Sequence, residues 1–385
     1  MKKKIAYIHD FCFLTDNNTV YTAVGMPEKY FSRFFEANVD SIEIISRNKN
    51  YDKKNSEHIN FSCMQNKKIT LPFKIKNYFS LLNPLLIYNI LIKIKKYDYL
   101  VINFPSIIGI YIFLINLFTK VPYTLEIAAD EDQFRQKKLG KIITPFIKFI
   151  YPRVVSRSMG GIYVSNYLLN KYPCKNSIVA SNVHISNIYV RDLIIEPLQN
   201  KKTINIFFAG GVNRRKGIPQ LIQAINQLVN IKKLVNIKLY IAGGHFDQNY
   251  QKMVSNLNLK KQIHFLGIIE PSEIEHFLSI SDIYVQPSLA EGIPRATLEA
   301  MAYGLPIIAT ELPGFQEILP SSCLVPPSNS KKLADIIFEI IVNVDFHNKL
   351  LNDNRHIINN FHYNILQEKR INFYKNILEK NNEKL

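Results

Sequence analysis

The chain has 385 residues, 47% of them hydrophobic, with four cysteines and a formal net charge of +17. That length and apolar content suit two globular cores rather than one. Cys12, Cys63, Cys174 and Cys323 are scattered without a CxxC pair, which excludes a disulfide framework and a cysteine metal cluster and points to a reducing cytosol.

Met1-Lys2-Lys3-Lys4 runs straight into a strand pattern, so no cleavable signal is expected. Short apolar runs at 5–9, 42–46, 99–103, 123–128, 161–164 and 177–180 read as strands. Between them, 27–37, 84–96, 107–118 and 139–159 read as helices. The stretch 99–119 carries no charge and is long enough to span a bilayer. Asn103-Phe104-Pro105-Ser106 interrupts it, so a buried strand, a turn and an apolar helix are predicted instead. Residues 191–202, with Glu196-Pro197, break the rhythm and read as a linker. The alternation then restarts, with strands at 204–209, 237–242, 263–266, 283–286 and 306–309. Helices are predicted at 219–230, 248–257, 272–279 and 294–303, and a charged helical tail follows from 348 to 385. Strand–helix alternation predicts parallel sheets covered on both faces, with ligands at the carboxyl ends of the strands. Residues 1–190 hold 26 Lys and Arg against 13 Asp and Glu, whereas 191–385 hold 22 against 18. The basic first half suits a polyanion or an anionic membrane surface, although a lysine-rich genome gives the same excess.

Three motifs carry chemistry. In Glu291-Gly292-Ile293-Pro294-Arg295-Ala296-Thr297-Leu298-Glu299, a carboxylate in a loop after a strand is followed by one inside a helix. Pro294 suits the first helical position, and the helix N-terminus favours a diphosphate. Glu299 lies five residues on, roughly 7–8 Å along the axis, which is the reach from phosphates to ribose hydroxyls. Its competing reading is a solvated pair with Arg295 at i, i+4. The second motif is Ala209-Gly210-Gly211-Val212-Asn213-Arg214-Arg215-Lys216-Gly217, where glycines allow close approach and cations neutralise phosphate. It is neither a P-loop nor a dinucleotide fingerprint. The third is Asp130-Glu131-Asp132, which can be a metal site or a plain acidic loop, the latter favoured. His9-Asp10 ends the first strand and so faces the predicted cleft.

With these residues in view, the second half resembles the donor domain of GT-B glycosyltransferases, in particular the retaining glycosyltransferase family 4. The likeness runs in order through residues 209–217, Tyr240-Ile241-Ala242-Gly243-Gly244, Ile263-His264-Phe265-Leu266-Gly267, residues 281–288, residues 291–299 and Gly304-Leu305-Pro306, with Gly314 and Glu317. In the first half it is weaker, through Val164-Ser165-Asn166 and Ser181-Asn182-Val183. The resemblance implies two Rossmann-like doubly wound α/β domains facing across a cleft. Residues 1–190 would bind the acceptor, 203–347 the nucleotide sugar, and helices in 348–385 would return to the first domain. It implies Lys216 on the diphosphate, Glu291 with Gly292 and Ile293 on the donor sugar, and Glu299 on the ribose. Gly267 and Ile269 would line the base pocket, and Gly210, Gly211, Arg214, Arg215 and Thr297 complete the donor set. Where the family carries Arg, this chain has Gly211, so Arg214 or Arg215 would supply the charge. Asp130 falls near a family histidine and stands, with Glu291 and Lys216, as a catalytic candidate; His9 and Asp10 fall on the acceptor side.

The expected reaction moves a hexosyl or N-acetylhexosaminyl group from a nucleotide-diphosphate sugar, UDP favoured and GDP possible, with retention. No cofactor and no metal are expected, and closure of the domains would limit hydrolysis of the donor. The expected acceptor is a polyprenyl-diphosphate-linked saccharide in bacterial surface polysaccharide synthesis (O-antigen, capsule or lipopolysaccharide). The expected location is cytoplasmic, peripheral at the inner face of the membrane, with no nucleic acid as partner. A sugar-nucleotide epimerase would instead consume the donor without an acceptor. A silent binding subunit would bind donor without turnover, and a nucleic-acid binder would show steep salt dependence with DNA.

Overall fold

The computed structural model describes residues 3–16, 19–23, 26–52, 61–129, 140–183, 185–244, 248–291 and 295–382. They form two compact units, one of residues 1–182 with 367–385 and one of residues 183–366.

The first unit runs β1 (Lys3–Asp16), β2 (Thr19–Ala23), a 3-10 turn (Glu28–Phe31), α1 (Ser32–Glu36), β3 (Val39–Asn50), β4 (Phe61–Cys63) and β5 (Ile69–Thr70). It continues through a 3-10 turn (Tyr78–Leu82), α2 (Pro84–Ile94), β6 (Tyr99–Phe104), α3 (Ile107–Thr119), β7 (Tyr123–Ile127), α4 (Gly140–Ser156), β8 (Gly161–Tyr163), α5 (Asn166–Lys171) and β9 (Ser177–Val179). β1 pairs in parallel with β3 on one side and β6 on the other, and the sheet continues in parallel through β7, β8 and β9. Near-continuous apolar strands such as Leu100-Val101-Ile102 are buried on both faces, as a covered parallel sheet requires. The predicted first strand stops at His9, but β1 goes on to Asp16 and pairs antiparallel with β2, Leu14 opposite Tyr21. Phe13 and Leu14 are buried there, and Tyr21 stacks on Tyr51 at 4.0 Å, so the extension has a small core of its own.

A buried carboxylate joins four elements of this unit. Glu126 on β7 accepts from the Arg33 guanidinium at 2.8 Å, the Tyr7 hydroxyl at 2.9 Å and the Tyr374 hydroxyl at 2.6 Å, and from the Tyr30 hydroxyl. Burial alone would raise its pKa. The Arg33 charge and the three hydroxyls outweigh that and hold the carboxyl below its usual range.

The second unit runs β10 (Ile204–Ala209), α6 (Ile218–Asn226), β11 (Ile237–Ala242), α7 (Gln248–Asn256), β12 (Ile263–Gly267), α8 (Pro271–Ile280) and β13 (Ile283–Gln286). After these come α9 (Arg295–Ala302), β14 (Ile307–Thr310), α10 (Pro313–Gln316), β15 (Leu324–Val325), α11 (Ser330–Val342), α12 (Val344–Asn359) and α13 (Tyr363–Asn382), the last crossing into the first unit at Gln367. The sheet order is β12-β11-β10-β13-β14-β15, all parallel. The chain therefore winds outward from β10 to β12, returns, and winds the other way from β13 to β15. The reversal lies between β10 and β13, and a crevice opens at the carboxyl ends of such a strand pair.

Two expected boundaries need correction. The first unit ends at Asn182, not at residue 190. Residues 191–202 are not a free linker. The Arg191 guanidinium donates to the carbonyls of Tyr303 (2.7 Å), Ser281 (2.6 Å) and Leu278 (2.6 Å), and Leu198 is buried in the second core. The polar run hides this because its first cation, Arg191, caps the end of α8, where backbone carbonyls lack helical partners. The tail is divided as well: α12 packs on α9 and α11 in the second unit, and only residues from 367 onward join the first.

Candidate active site

The strand ends at the β10–β13 reversal are held close by glycine. Gly210 and Gly243 have φ of +152° and +145°, and a Cβ on Gly243 would lie 1.8 Å from the Gly210 carbonyl oxygen. Only glycine allows that approach. The Gly210 N–H donates to Ala242 O (2.9 Å), Gly243 to Gly267 O (2.7 Å) and Val212 to Gly244 O (2.8 Å), so the loops after β10, β11 and β12 form one continuous rim. Gly217 sits against the other wall, where a Cβ would meet the Pro287 carbonyl oxygen at 1.9 Å.

Lys216 and Glu291 meet on this rim. Residues 214–216 form a 3-10 turn capped by Asn213, whose side chain accepts from the Lys216 N–H at 3.1 Å. That turn aims the Lys216 ammonium at Glu291, and the two are in direct contact. Arg215 donates to the Ala290 carbonyl at 2.9 Å and lies 3.8 Å from the second Glu291 oxygen. The Leu289 N–H returns a bond to Arg215 O at 2.7 Å, which clamps the loop after β13 to the loop after β10. Burial, then the neighbouring Arg215, lower the Lys216 ammonium to about 8, while the Glu291 carboxylate against it favours the charged form. At neutral pH the ammonium is protonated. Of the two cations proposed to stand in for the arginine missing at Gly211, Arg215 lies beside Glu291 and Arg214 is solvent-exposed.

A buried polar chain fixes Glu291 from behind. The Tyr284 hydroxyl donates to the Gln286 side-chain oxygen at 2.6 Å, and the Gln286 amide donates to Ser288 Oγ at 3.1 Å. The Ser288 hydroxyl donates to Glu291 Oε1 at 3.2 Å. All three residues are fully buried, and the Thr310 hydroxyl holds the Ser288 carbonyl. The sequence reading missed this support. Its available signal was a glutamine closing an otherwise apolar buried strand, which is costly unless the amide is bonded.

Glu299 lies on the outward face of α9 and is half-buried. Arg295 Nε donates to its Oε1 at 2.8 Å, the i, i+4 pair raised as the competing reading. Such an exposed pair is worth only about 0.3–0.5 kcal/mol, so it yields to a better partner. Thr297, the other α9 residue of the donor set, faces the core. The helical period turns it inward, where it is fully buried. Gly267, at φ +73°, has no neighbour within 4 Å of where a Cβ would stand, and the adjacent Ile268 is exposed, so the end of β12 opens to solvent. Ile269 packs partly against the core. Gly292, Ile293 and Asp130 lie outside the described residues.

In the first unit, His9 Nδ1 accepts from the Phe11 N–H at 2.7 Å, and burial lowers its pKa, so the ring is neutral. The Asp10 carboxylate accepts from the N–H groups of Ile107 (2.8 Å) and Ile108 (2.9 Å). It caps α3, a structural use that the sequence reading did not anticipate. Among the described residues no group of His, Cys, Asp or Glu is arranged to hold a metal ion.

Residues 191–356 match the family model described as Glycosyl transferases group 1. The whole chain is 29% identical to Protein CapJ of Staphylococcus aureus, over 97% of this chain and 96% of that one. It superposes on Anabaena Alr3699/HepE in complex with UDP-glucose with a TM-score of 0.60 at 15% identity, over 98% of each chain. The lipopolysaccharide outer core galactosyltransferase WaaB matches with a TM-score of 0.63 at 17% identity, covering 98% of this chain and 99% of that one. The fold is GT-B, two Rossmann-like α/β domains, and together with the family model it supports a glycosyltransferase.

Proposed function

We propose that the protein transfers a sugar from a nucleoside-diphosphate sugar, UDP-linked in preference to GDP-linked, to a saccharide acceptor, with retention at the anomeric carbon. The observation that carries this reading is the Lys216–Glu291 contact on the glycine rim at the β10–β13 reversal, within the residues matched by the family model. The donor diphosphate competes with Glu291 for the Lys216 ammonium, and the released carboxylate accepts from the hydroxyls of the donor sugar. Glu299 exchanges Arg295 for the ribose hydroxyls. The bond from the anomeric carbon to the phosphate oxygen breaks first, giving an oxocarbenium-like centre and a growing charge on the diphosphate. Lys216 and Arg215 take up that charge from fixed positions, which is the main source of acceleration in such sites. The acceptor oxygen then bonds to the same face of the anomeric carbon, and its proton passes to the departing phosphate oxygen. No metal enters this scheme, so a chelator is expected to leave the rate unchanged.

The acceptor is proposed to be a polyprenyl-diphosphate-linked saccharide in surface polysaccharide assembly. The names of WaaB and of the O-antigen chain mannosyltransferase RfbU of Salmonella typhimurium, 29% identical over 51% of this chain, support the surface-polysaccharide part of this reading. Glu291→Ala and Glu299→Ala should each lower transfer from UDP-glucose, or from whichever nucleotide sugar raises the melting temperature, by at least about tenfold while the fold persists. Full activity in both variants would remove the site from the reaction. Consumption of donor without an acceptor would favour an epimerase instead.

A further inference from the structure

We propose that the outer face of α2, α3 and α4 in the first unit lies on an anionic lipid surface. The three helices share one buried core, with Ile90 and Ile94 of α2, Ile112 of α3 and Ile147 of α4 all turned inward. Their other sides carry large apolar residues into water. Phe79 of the preceding turn is 82% exposed and Phe118 at the end of α3 is 81% exposed. Leu85, Tyr88 and Ile92 follow at helical spacing along the outer stripe of α2, and Leu114 and Leu117 extend the stripe on α3. Phe149 on α4 is also exposed, with the Arg153 guanidinium 3.8 Å over its ring. α3 packs on both α2 and the 78–82 turn, which keeps the residues of those three segments together. Apolar exposure of this extent marks an interaction surface.

Charge selects the occupant. From residue 71 to 123 there are six lysines and one carboxylate, Asp98, and Asp98 is engaged by the Lys4 N–H at 2.7 Å. Residues 140–160 hold four cations and no acid. Lys74, Lys76, Lys95, Lys96 and Lys120 are exposed around the apolar stripe. A second copy of this face would set cations against cations, whereas a layer of anionic headgroups over acyl chains complements both the charge and the apolar stripe. Among the described residues no helix is long and apolar enough to cross a membrane, so the helices would lie in the interface plane. The face belongs to the first unit and does not rest on the nucleotide chemistry of the second.

Co-sedimentation of the full chain with vesicles tests this. Binding to an equal mixture of phosphatidylcholine and phosphatidylglycerol should be at least tenfold tighter than to phosphatidylcholine alone, and should weaken with salt. Phe79→Ser/Leu85→Ser/Phe118→Ser and Lys95→Glu/Lys96→Glu/Lys120→Glu should each lose at least tenfold in binding. The single variant Phe118→Ser gives a milder loss if the triple variant fails to fold. Equal binding to both vesicle types, or folded variants that bind like the parent, would overturn the proposal. So would a concentration-dependent dimer that Phe118→Ser converts to monomer, since a second copy would then cover the face. Thermal shift of the parent chain with UDP-glucose separates the two ideas: equal binding to both vesicle types with a clear shift sinks the membrane face alone, and selective binding to anionic vesicles without a shift sinks the donor site alone.

Discussion

Lys216→Ala is expected to lower kcat/KM for the donor by about 10²–10³-fold, the loss found when one fixed donor is removed from a developing oxyanion. The ammonium stands at the mouth of the β10–β13 reversal, and Arg215, tied to the Ala290 carbonyl, is not positioned to take its place. The side chain lies at the rim, so circular dichroism and melting should change little. The pH profile supplies an independent readout. With the free ammonium at about 8, kcat/KM should fall as pH rises through that value, because the neutral amine no longer draws the diphosphate. Lys216→Arg keeps its charge at every accessible pH and should lose that alkaline limb even if its rate is low. A Lys216→Ala enzyme within threefold of the parent would exclude Lys216 from stabilising the leaving group.

Glu126→Ala should have the largest effect on stability. Its carboxylate is the shared acceptor for Arg33, Tyr7, Tyr30 and Tyr374, and all of them are buried except the partly covered Tyr30. Removing it strands a guanidinium at 2% exposure and several hydroxyls in a dry core, at a cost of about 3–5 kcal/mol in urea unfolding of the first unit. Glu126→Gln keeps one acceptor oxygen and should cost less. The sign of the pH effect follows from the lowered carboxyl. Its contribution is present above the unfolded value of about 4.3 and is lost as pH falls through the folded value. The Gln variant should lack that acid-side loss. A destabilisation below about 1 kcal/mol for the Ala variant would mean that the core repacks around Arg33.

The strands of the second unit were legible because parallel strands covered on both faces read as unbroken apolar runs; 204–209, 237–242 and 283–286 coincide with β10, β11 and β13. The β-hairpin extension was not, because Thr15-Asp16 reads as a loop until tertiary pairing with Val20 and Thr19 is known. Arg191 reads as a linker cation because nothing in sequence reveals four carbonyls converging on it. The Lys216 and Glu291 candidates follow from loop chemistry after strands. Their mutual contact, and the buried Tyr284–Gln286–Ser288 chain behind it, depend on the strand order β10-β13, which no local pattern encodes.

The division of the chain also sets the order in which it can be completed during synthesis. Residues 183–366 are contiguous, so every strand of the second unit exists once Leu366 has been added. The first unit begins earlier yet needs Tyr374 to close the Glu126 cluster and Arg370 to reach the carbonyls of Ala180 and Ser181. A nascent chain stalled before residue 367 therefore holds a finished second unit and a first unit whose central carboxylate still lacks its last partner. The portion made first is the one sealed last, and the final helix acts as its closing stitch.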